Sequence, residues 1–466
     1  MDRPMDAAGL RPQNEGKRAE LPNGLPAPRR YFAWATVIVG LTLAVLDGTI
    51  ANVALPTIAQ EFNAPASASI WIVNGYQLAI AMILLPLSSL GEKFGYRWVY
   101  LIGIALFTFA SIFCVAAPGL NALTVARIVQ GLGAAGLMST NAAVLRYIVP
   151  KEKFGGAIGI NALVVASSAT AGPAIAGFIL SVANWRWLFA LNIPLGLLTI
   201  ALGWRSLPES HRTDHPFDWL SALYSAAAIG LLITTIDSIG HDLGWAVTLP
   251  QGVLMVLAAM ALLRRSRRSA RPMLPLDLLE RPVFSLSVLA SIAAFSAQML
   301  AFVALPFTFQ MVNGFPPAQM GLLMMPWPLA LAFAAPIAGR LADKHSPAIL
   351  GGIGLVLLTV GLLALGFLPK HPATWDIAWR MALCGLGFGM FQSPNNRILI
   401  GSAPLHRSGA ANGMLGTARL TGQSIGAALV ALLLAQFGIL GAISAQFVGA
   451  ALAGAAAVIS LTRLAV

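Results

Sequence analysis

Uninterrupted apolar runs, each near 20 residues, recur along the whole chain, and no other feature constrains its fold as much. A helix rising about 1.5 Å per residue needs about 20 residues to cross the ~30 Å hydrocarbon layer of a bilayer. Inside that layer only helices and closed barrels satisfy every backbone N–H and C=O, because no water is present to do so. A barrel strand would read as about 10 residues of alternating polarity; these runs are longer and continuous. Composition agrees, with 58% hydrophobic and 10% charged residues, against about 25% charged in a soluble domain. The expected fold class is an all-α polytopic membrane protein.

Fourteen spans are expected, near 33–58, 69–90, 98–118, 121–145, 155–182, 186–206, 218–238, 247–263, 283–310, 318–338, 347–368, 375–398, 408–436 and 438–462. An even number puts both termini on one side of the membrane. The segments on that side hold 24 of the 29 Lys and Arg. The opposite loops hold only Arg186 and Lys370, while Arg127, Arg380 and Arg419 lie within spans. Positive residues gather on cytoplasmic loops, so both termini are expected in the cytoplasm and the protein in a plasma membrane of the bacterial inner-membrane type. The formal charge of +12 is then a topology signal, and no nucleic-acid partner is expected. Residues 1–32 are polar and lack the order of a cleaved signal peptide, which suggests a disordered cytoplasmic tail. Cys114 and Cys384 lie in apolar runs, no Cys/His spacing fits a metal, and no Gly-rich loop fits a phosphate. No metal, no cofactor and no enzymatic activity are expected.

The chain repeats itself. Ser88–Lys93 at the end of the second span is echoed by Gly339–Lys344 at an offset of 251. Arg127 before Gly131 and Gly133 is echoed by Arg380 before Gly385 and Gly387 at 253, and Gly155 with Gly159 by Gly409 with Gly413 at 254. Many transporters are built from such repeated halves. The expected organisation is a six-helix bundle over 33–206, two inserted spans with a basic linker over 207–282, and a second six-helix bundle over 283–466. The cluster Arg264, Arg265, Arg267 and Arg268 follows the inserted pair, as a stop-transfer anchor or an anionic-lipid contact.

Asp47 lies about 14 residues into the first span. A carboxylate at that depth costs about 2.5–3.5 kcal/mol on insertion scales. A water-lined cavity, a cationic partner or a bound proton would each lower that cost. Two readings stand: a proton carrier, or an acid that only hydrogen-bonds Thr49, Asn52 or a neighbouring helix.

Four stretches carry a family resemblance. They are Leu46–Pro56 in the first span, Leu90–Arg97 after the second, Arg127–Gly133 in the fourth and Gly172–Gly177 in the fifth. With Trp185–Phe189, Asn192–Pro194 and Ser393–Asn396 they resemble the major facilitator superfamily, in its fourteen-helix drug/proton antiporter branch. Ser88 and Glu92 depart from that family's loop motif, and Ser168 and Ala176 from its fifth-helix motif.

The resemblance implies a 6 + 2 + 6 carrier that exports small amphipathic organic molecules against protons. Asp47 and Arg127 would couple protons to transport; the other reading of Arg127, near the outer end of its span, is a charge that snorkels to the interface and only sets topology. Glu92, Lys93, Gly95 and Arg97 with Gly339, Asp343 and Lys344 would gate it through ion pairs between halves. Gly172, Pro173 and Gly177 would form a bent, closely packed helix whose partner is the thirteenth span. Uncharged polar and aromatic groups suit an amphipathic substrate, so the pocket is sought among Asn52, Asn74, Tyr76, Gln77, Gln298, Trp327, Gln392 and Asn395. Arg380 reads as structural, Arg419 as bonded to backbone carbonyls or across the halves, and Asp237 as an interfacial carboxylate or a determinant of cation specificity. Partners are protons, a small organic substrate and membrane lipid, and a monomer suffices. Export of a dedicated metabolite or siderophore is the alternative; a non-transporting membrane sensor or enzyme is the alternative of another class.

Overall fold

The computed structural model describes residues 24–210, 212, 217–240, 243–268, 276–403 and 408–464. The described residues are almost entirely helical and contain no strand. The first six long helices are α1 (Arg29–Glu61), α2 (Trp71–Phe94), α3 (Tyr96–Ala116), α4 (Leu120–Ile148), α5 (Phe154–Val182) and α6 (Asn192–Ser206). Next come α7 (Trp219–Gly240) and α8 (Trp245–Arg268). The last six are α9 (Pro282–Phe307), α10 (Pro317–Leu341), α11 (Pro347–Gly366), α12 (Thr374–Gly401), α13 (Ser408–Phe437) and α14 (Leu440–Thr462).

Thirteen helices among the described residues are long and apolar enough to cross a membrane. The expected span 375–398 lies within α12, which is outside that thirteen. It is long enough, but Asp376, Arg380, Gln392, Asn395, Asn396 and Arg397 dilute its apolar surface. Residues 1–23 of the expected tail lie outside the described residues. The rest of that tail corrects the expectation: α1 starts at Arg29, and the Leu25 N–H donates to the Ile148 carbonyl at 3.0 Å.

Proline breaks two of the helices. Arg186–Ala190 forms a short helix that turns at Leu191 before α6; Pro194 has no N–H for the Ala190 carbonyl. α10 is interrupted at Met325, where Pro326 and Pro328 withhold two donors.

Glycine sets how closely helices approach, since without Cβ their backbones touch. A Cβ on Gly133 would sit 2.7 Å from the Gly103 carbonyl oxygen, joining α4 to α3. A Cβ on Gly387 would sit 2.6 Å from the Gly354 carbonyl, joining α12 to α11. Likewise Gly131 lies against the Tyr76 carbonyl and Gly385 against that of Trp327. These pairs are the repeated residues of the two halves, so the sequence offset has a geometric counterpart.

The halves meet along two seams. Gly177 of α5 faces Pro317 and Ala318 of α10, whose carbonyl oxygens would stand 2.9 and 3.1 Å from an added Cβ. This corrects the expected partner of α5: the helix crosses to α10, whereas α13 packs on α9 and α2 through Gly422, Gly426, Gly413 and Gly416. Gly409 lies outside the residues whose surroundings are described. α7 covers the second seam. Ile233 clusters with Leu78 of α2 and Ala428 of α13, and Gly230 lies against Met82. Asp237 accepts the Trp71 indole N–H at 2.9 Å, while His241 and Asp242 lie outside the described residues. α8 presents most of its surface outward, with Trp245 81% exposed.

At the start of α7, Asp218 accepts from the Ser221 N–H at 3.1 Å and hydroxyl at 2.6 Å, and pairs with Arg265 of α8 at 2.8 Å. Partial burial opposes its charge. The Ser221 bonds and the Arg265 guanidinium outweigh that and hold its carboxyl below the usual value. A depressed acid contributes stability above its unfolded-state value, about pH 4, and loses it as pH falls further. Both groups are partly exposed, so the contribution is about 0–1 kcal/mol. Asp218→Asn should therefore lower the thermal midpoint slightly at pH 7 and not at all near pH 3, measured by tryptophan fluorescence in detergent. Gly177→Val should destabilise by about 1–3 kcal/mol through overpacking, read as a lower midpoint at every pH.

Candidate functional site

Asp47 lies in the middle of α1, is 3% exposed, and is held by side chains from two other helices. Arg127 and Gln130 stand three residues apart on α4 and therefore share a face. The Arg127 guanidinium donates to Asp47 Oδ2. Gln130 donates to Oδ1 at 3.2 Å, and Asn192 to the same oxygen at 2.7 Å. Asn192 reaches it because the break at Leu191 starts α6 at that residue. The Gln130 amide also donates to Ser111 of α3 at 2.9 Å, while its carbonyl oxygen accepts from Arg127 at 2.6 Å.

Arg127 is fully buried. Its Nε donates to the Ile72 carbonyl at 3.0 Å, its face lies 4.1 Å from the Tyr76 ring centroid, and Phe189 stands 5.4 Å away. The Tyr76 hydroxyl donates to the Ala44 carbonyl at 3.0 Å. One guanidinium nitrogen, Nη2, has no hydrogen-bond partner, so aromatic faces carry part of what hydrogen bonds usually carry. Charged and neutral donors thus converge on one carboxylate without water-exposed edges. A buried pair of this kind loses about 3–5 kcal/mol when one member alone is removed, because the other charge is stranded.

The expected pocket residues separate into distinct surroundings. Tyr76 belongs to the acid site. Asn52 and Asn74 are buried, each with a side-chain oxygen lacking a partner. Gln77 lies beside Gly48, its amide nitrogen 3.8 Å from an added Cβ. Gln298 and Gln392 are half-buried. Trp327 is fully buried against Phe302, with its Nε1 unpartnered. Asn395 departs furthest from the expectation. It accepts from Arg463 at 2.8 Å and donates to Ser291 at 2.8 Å, fastening α14 to α12 and α9.

Arg97 and Asp343 find their partners without crossing to the opposite half. Arg97 donates to the Trp204 carbonyl at 2.6 Å and stands 3.8 Å from Glu209. Asp343 pairs with Arg397 of α12. The expected pairing of Asp343 with the other half is corrected on that point, because α12 runs beside α10 and brings Arg397 to it. Gly95 has φ +99°, a conformation that favours glycine, and so ends α2 sharply. Lys93 lies 5.5 Å from the Phe94 ring, and Glu92 is itself engaged. Gly339 sits beside Ser393, while Gly172 and Pro173 lie against Thr49 and Gly321. Arg380 pairs with Asp376 one turn away at 2.8 Å. Arg419, expected to be bonded, has no hydrogen bond or ion pair among the described residues. The sequence reading missed Gln130, Asn192 and Ser111 as members of the site. Gln130 and Asn192 stood inside quoted motifs, and their polarity at membrane depth was the available signal.

The profile of the Major Facilitator Superfamily matches the chain over residues 37–427 and 286–465. The chain is 48% identical over 444 residues, 95% of its length and 97% of the relative's, to the uncharacterized transporter YebQ of Escherichia coli. It is 28% identical to the riboflavin transporter RibZ of Clostridioides difficile, covering 88% of this chain and 89% of that one. It is 31% identical to the multidrug resistance protein Stp of Mycobacterium tuberculosis, covering 86% and 75%. The fold resembles a bacterial homolog of the human lysosomal transporter Spinster in an inward-facing, occupied conformation, with TM-score 0.70 and 15% identity over 95% of this chain and 98% of that one. The chain belongs to the Major Facilitator Superfamily and is a multi-pass membrane transporter.

A buried ion pair makes a distinctive signature in a double-mutant cycle. Arg127→Gln and Asp47→Asn should each lower stability by about 3–5 kcal/mol, and the double variant should recover a substantial part of that loss. Thermal midpoints of the four proteins in one detergent measure it. Additive losses would show that the two groups do not act as a pair.

Proposed function

We propose that this transporter is a proton-coupled antiporter that exports small amphipathic organic molecules across the cell membrane by alternating access. The observation that carries the reading is the carboxylate of Asp47, buried at mid-helix and held by Arg127, Gln130 and Asn192. α12 serves as the fourteenth span in a 6 + 2 + 6 arrangement, since its charges are paired, Asp376 with Arg380 on the helix and Arg397 with Asp343 beyond it. Both termini lie in the cytoplasm, as the distribution of Lys and Arg favours.

A proton bonding to Asp47 Oδ2 would take a lone pair there and cancel the negative charge that now holds Arg127. The ion pair between α1 and α4 would become a neutral acid beside an unpaired cation, and the Arg127 guanidinium would turn toward other acceptors. Gln130 and Asn192 would keep their bonds to Oδ1, so the acid would stay in place while the helices around it change their pairing. Closure at the α5–α10 seam would then yield to closure at the opposite end, where Arg97 and the Asp343–Arg397 pair stand. The inward proton gradient supplies the work, since each charge moving through 100 mV gives about 2.3 kcal/mol. Multidrug names among the relatives support a broad substrate range; the riboflavin transporter favours a second reading, export of one dedicated metabolite.

In proteoliposomes with an imposed pH gradient, Asp47→Asn should abolish both substrate-dependent proton release and uphill accumulation. Downhill exchange of substrate should persist. Uphill transport by the variant at the level of the unaltered protein would rule out Asp47 as the coupling group. A panel of drugs and flavins in the same assay separates the two substrate readings.

A further inference from the structure

α13 packs against one helix from each half. Gly422 and Gly426 lie against the Ile292 and Ser296 carbonyls of α9, and Gly413 and Gly416 face Leu85 and Leu84 of α2. At 100° per residue these two contact lines lie about 130° apart around α13. Arg419 and Gln423, one turn apart, fall between them and face the cleft where the halves adjoin. Leu420, next to Arg419, packs in the cluster of Ile80 and Ala81 of α2. Gln77 of that helix lies beside Gly48, next to Asp47. Arg419 is therefore about one helical turn from the depth of Asp47, toward the end of the bundle that carries Lys93 and Arg97.

The other arginines inside the bundle are engaged. Arg127 pairs with Asp47, Arg380 with Asp376, and Arg463 donates to Ser287, Asn395 and Ser460. Arg419 and Gln423 are both half-buried, and neither has a hydrogen bond or ion pair among the described residues. An arginine at this depth costs about 2.5–3.5 kcal/mol on insertion scales, so a partner from outside the chain is the natural complement. Asp47 does not serve, because its oxygens already accept from Arg127, Gln130 and Asn192.

We propose that Arg419, with Gln423 beside it, binds the anionic group of the transported molecule, a carboxylate, sulfonate or phosphate on an amphipathic body. This rests on the transport reading and adds a substrate class to it. The planar guanidinium offers paired N–H donors that match such a group, and the Gln423 amide adds a neutral donor one turn away. An inside-negative membrane potential favours the exit of an anion. An anionic lipid headgroup has the same chemistry, and the test separates the two sources.

Fluorescein and rhodamine 6G share a xanthene ring and differ in charge. Their binding to the full chain in phosphatidylcholine nanodiscs is read by fluorescence anisotropy. Arg419→Gln should weaken fluorescein binding about tenfold, as expected for one charge-assisted hydrogen-bonded contact. Arg419→Lys should restore it to within about threefold, and rhodamine 6G should bind all proteins alike or the Gln variant better. Should Arg419→Gln not fold, Gln423→Leu must weaken fluorescein selectively while Arg419→Lys keeps it. No fluorescein binding by the unsubstituted protein, equal loss of both dyes, or no loss would overturn the proposal. So would displacement of fluorescein by added phosphatidylglycerol, which would assign the site to lipid. Binding is read without any gradient, so failure here leaves proton antiport standing, and an uncoupled Asp47 would leave this site standing.

Discussion

The bond between Asp47 and Arg127 organises the first half of the molecule. Neither charge is tolerable alone at its depth, so α1 and α4 must stay in register to keep them together. Neutral donors complete the arrangement. Gln130 links the carboxylate to Ser111 on α3, and Asn192 reaches it from α6. Three helices thus meet at one oxygen pair, α3 joins them through Gln130, and the aromatic faces of Tyr76 and Phe189 close over the cation. The same pair ties α1 to α4 and is the contact on which the proposed proton coupling rests.

Around that centre the fold is built from close backbone approaches. Gly103 with Gly133 and Gly354 with Gly387 bring helices into contact where any side chain would separate them. In lipid the hydrophobic effect gives no preference for helix–helix over helix–lipid contact, so this packing carries the association. Gly177 makes the α5–α10 seam in the same way. A seam built on small residues can open and close without unpairing buried polar groups. α7 spans both halves at the α2–α13 seam, tethered by Trp71 to Asp237, and must accommodate any relative tilt there.

The two halves share a backbone plan and diverge in charge. The positions one repeat after Asp47 and Asn192 hold Gln298 and Gln446, so amides stand where the first half has an acid and its donor. Arg380 pairs with Asp376 on its own helix and donates to the Ala364 carbonyl of α11, and Arg463 is held by hydroxyls, the Ser460 carbonyl and the Asn395 amide, with no carboxylate on it among the described residues. The fully buried acid–arginine pair thus lies in the first half, and Arg419 in the second stands on the face of α13 between its contacts with α9 and α2.

From the residues alone, the membrane class followed because it depends on the spacing of apolar runs, and the internal repeat was visible as one-dimensional repetition. Asp47 and Arg127 stood out for the same reason: a charge inside an apolar run is visible without coordinates. The count of apolar spans differs at α12, where polar residues that are paired in space still lower the hydropathy of the segment. What needed the tertiary structure was every pairing between distant segments. Asn192 reaches Asp47 across 145 positions, Asn395 serves Arg463 rather than the cleft, and α5 crosses to α10 rather than α13. A polar residue in a span declares that it needs a partner. Which partner it meets depends on helix rotation and the order of helices around the bundle, and those are set by packing between segments that the linear chain keeps far apart.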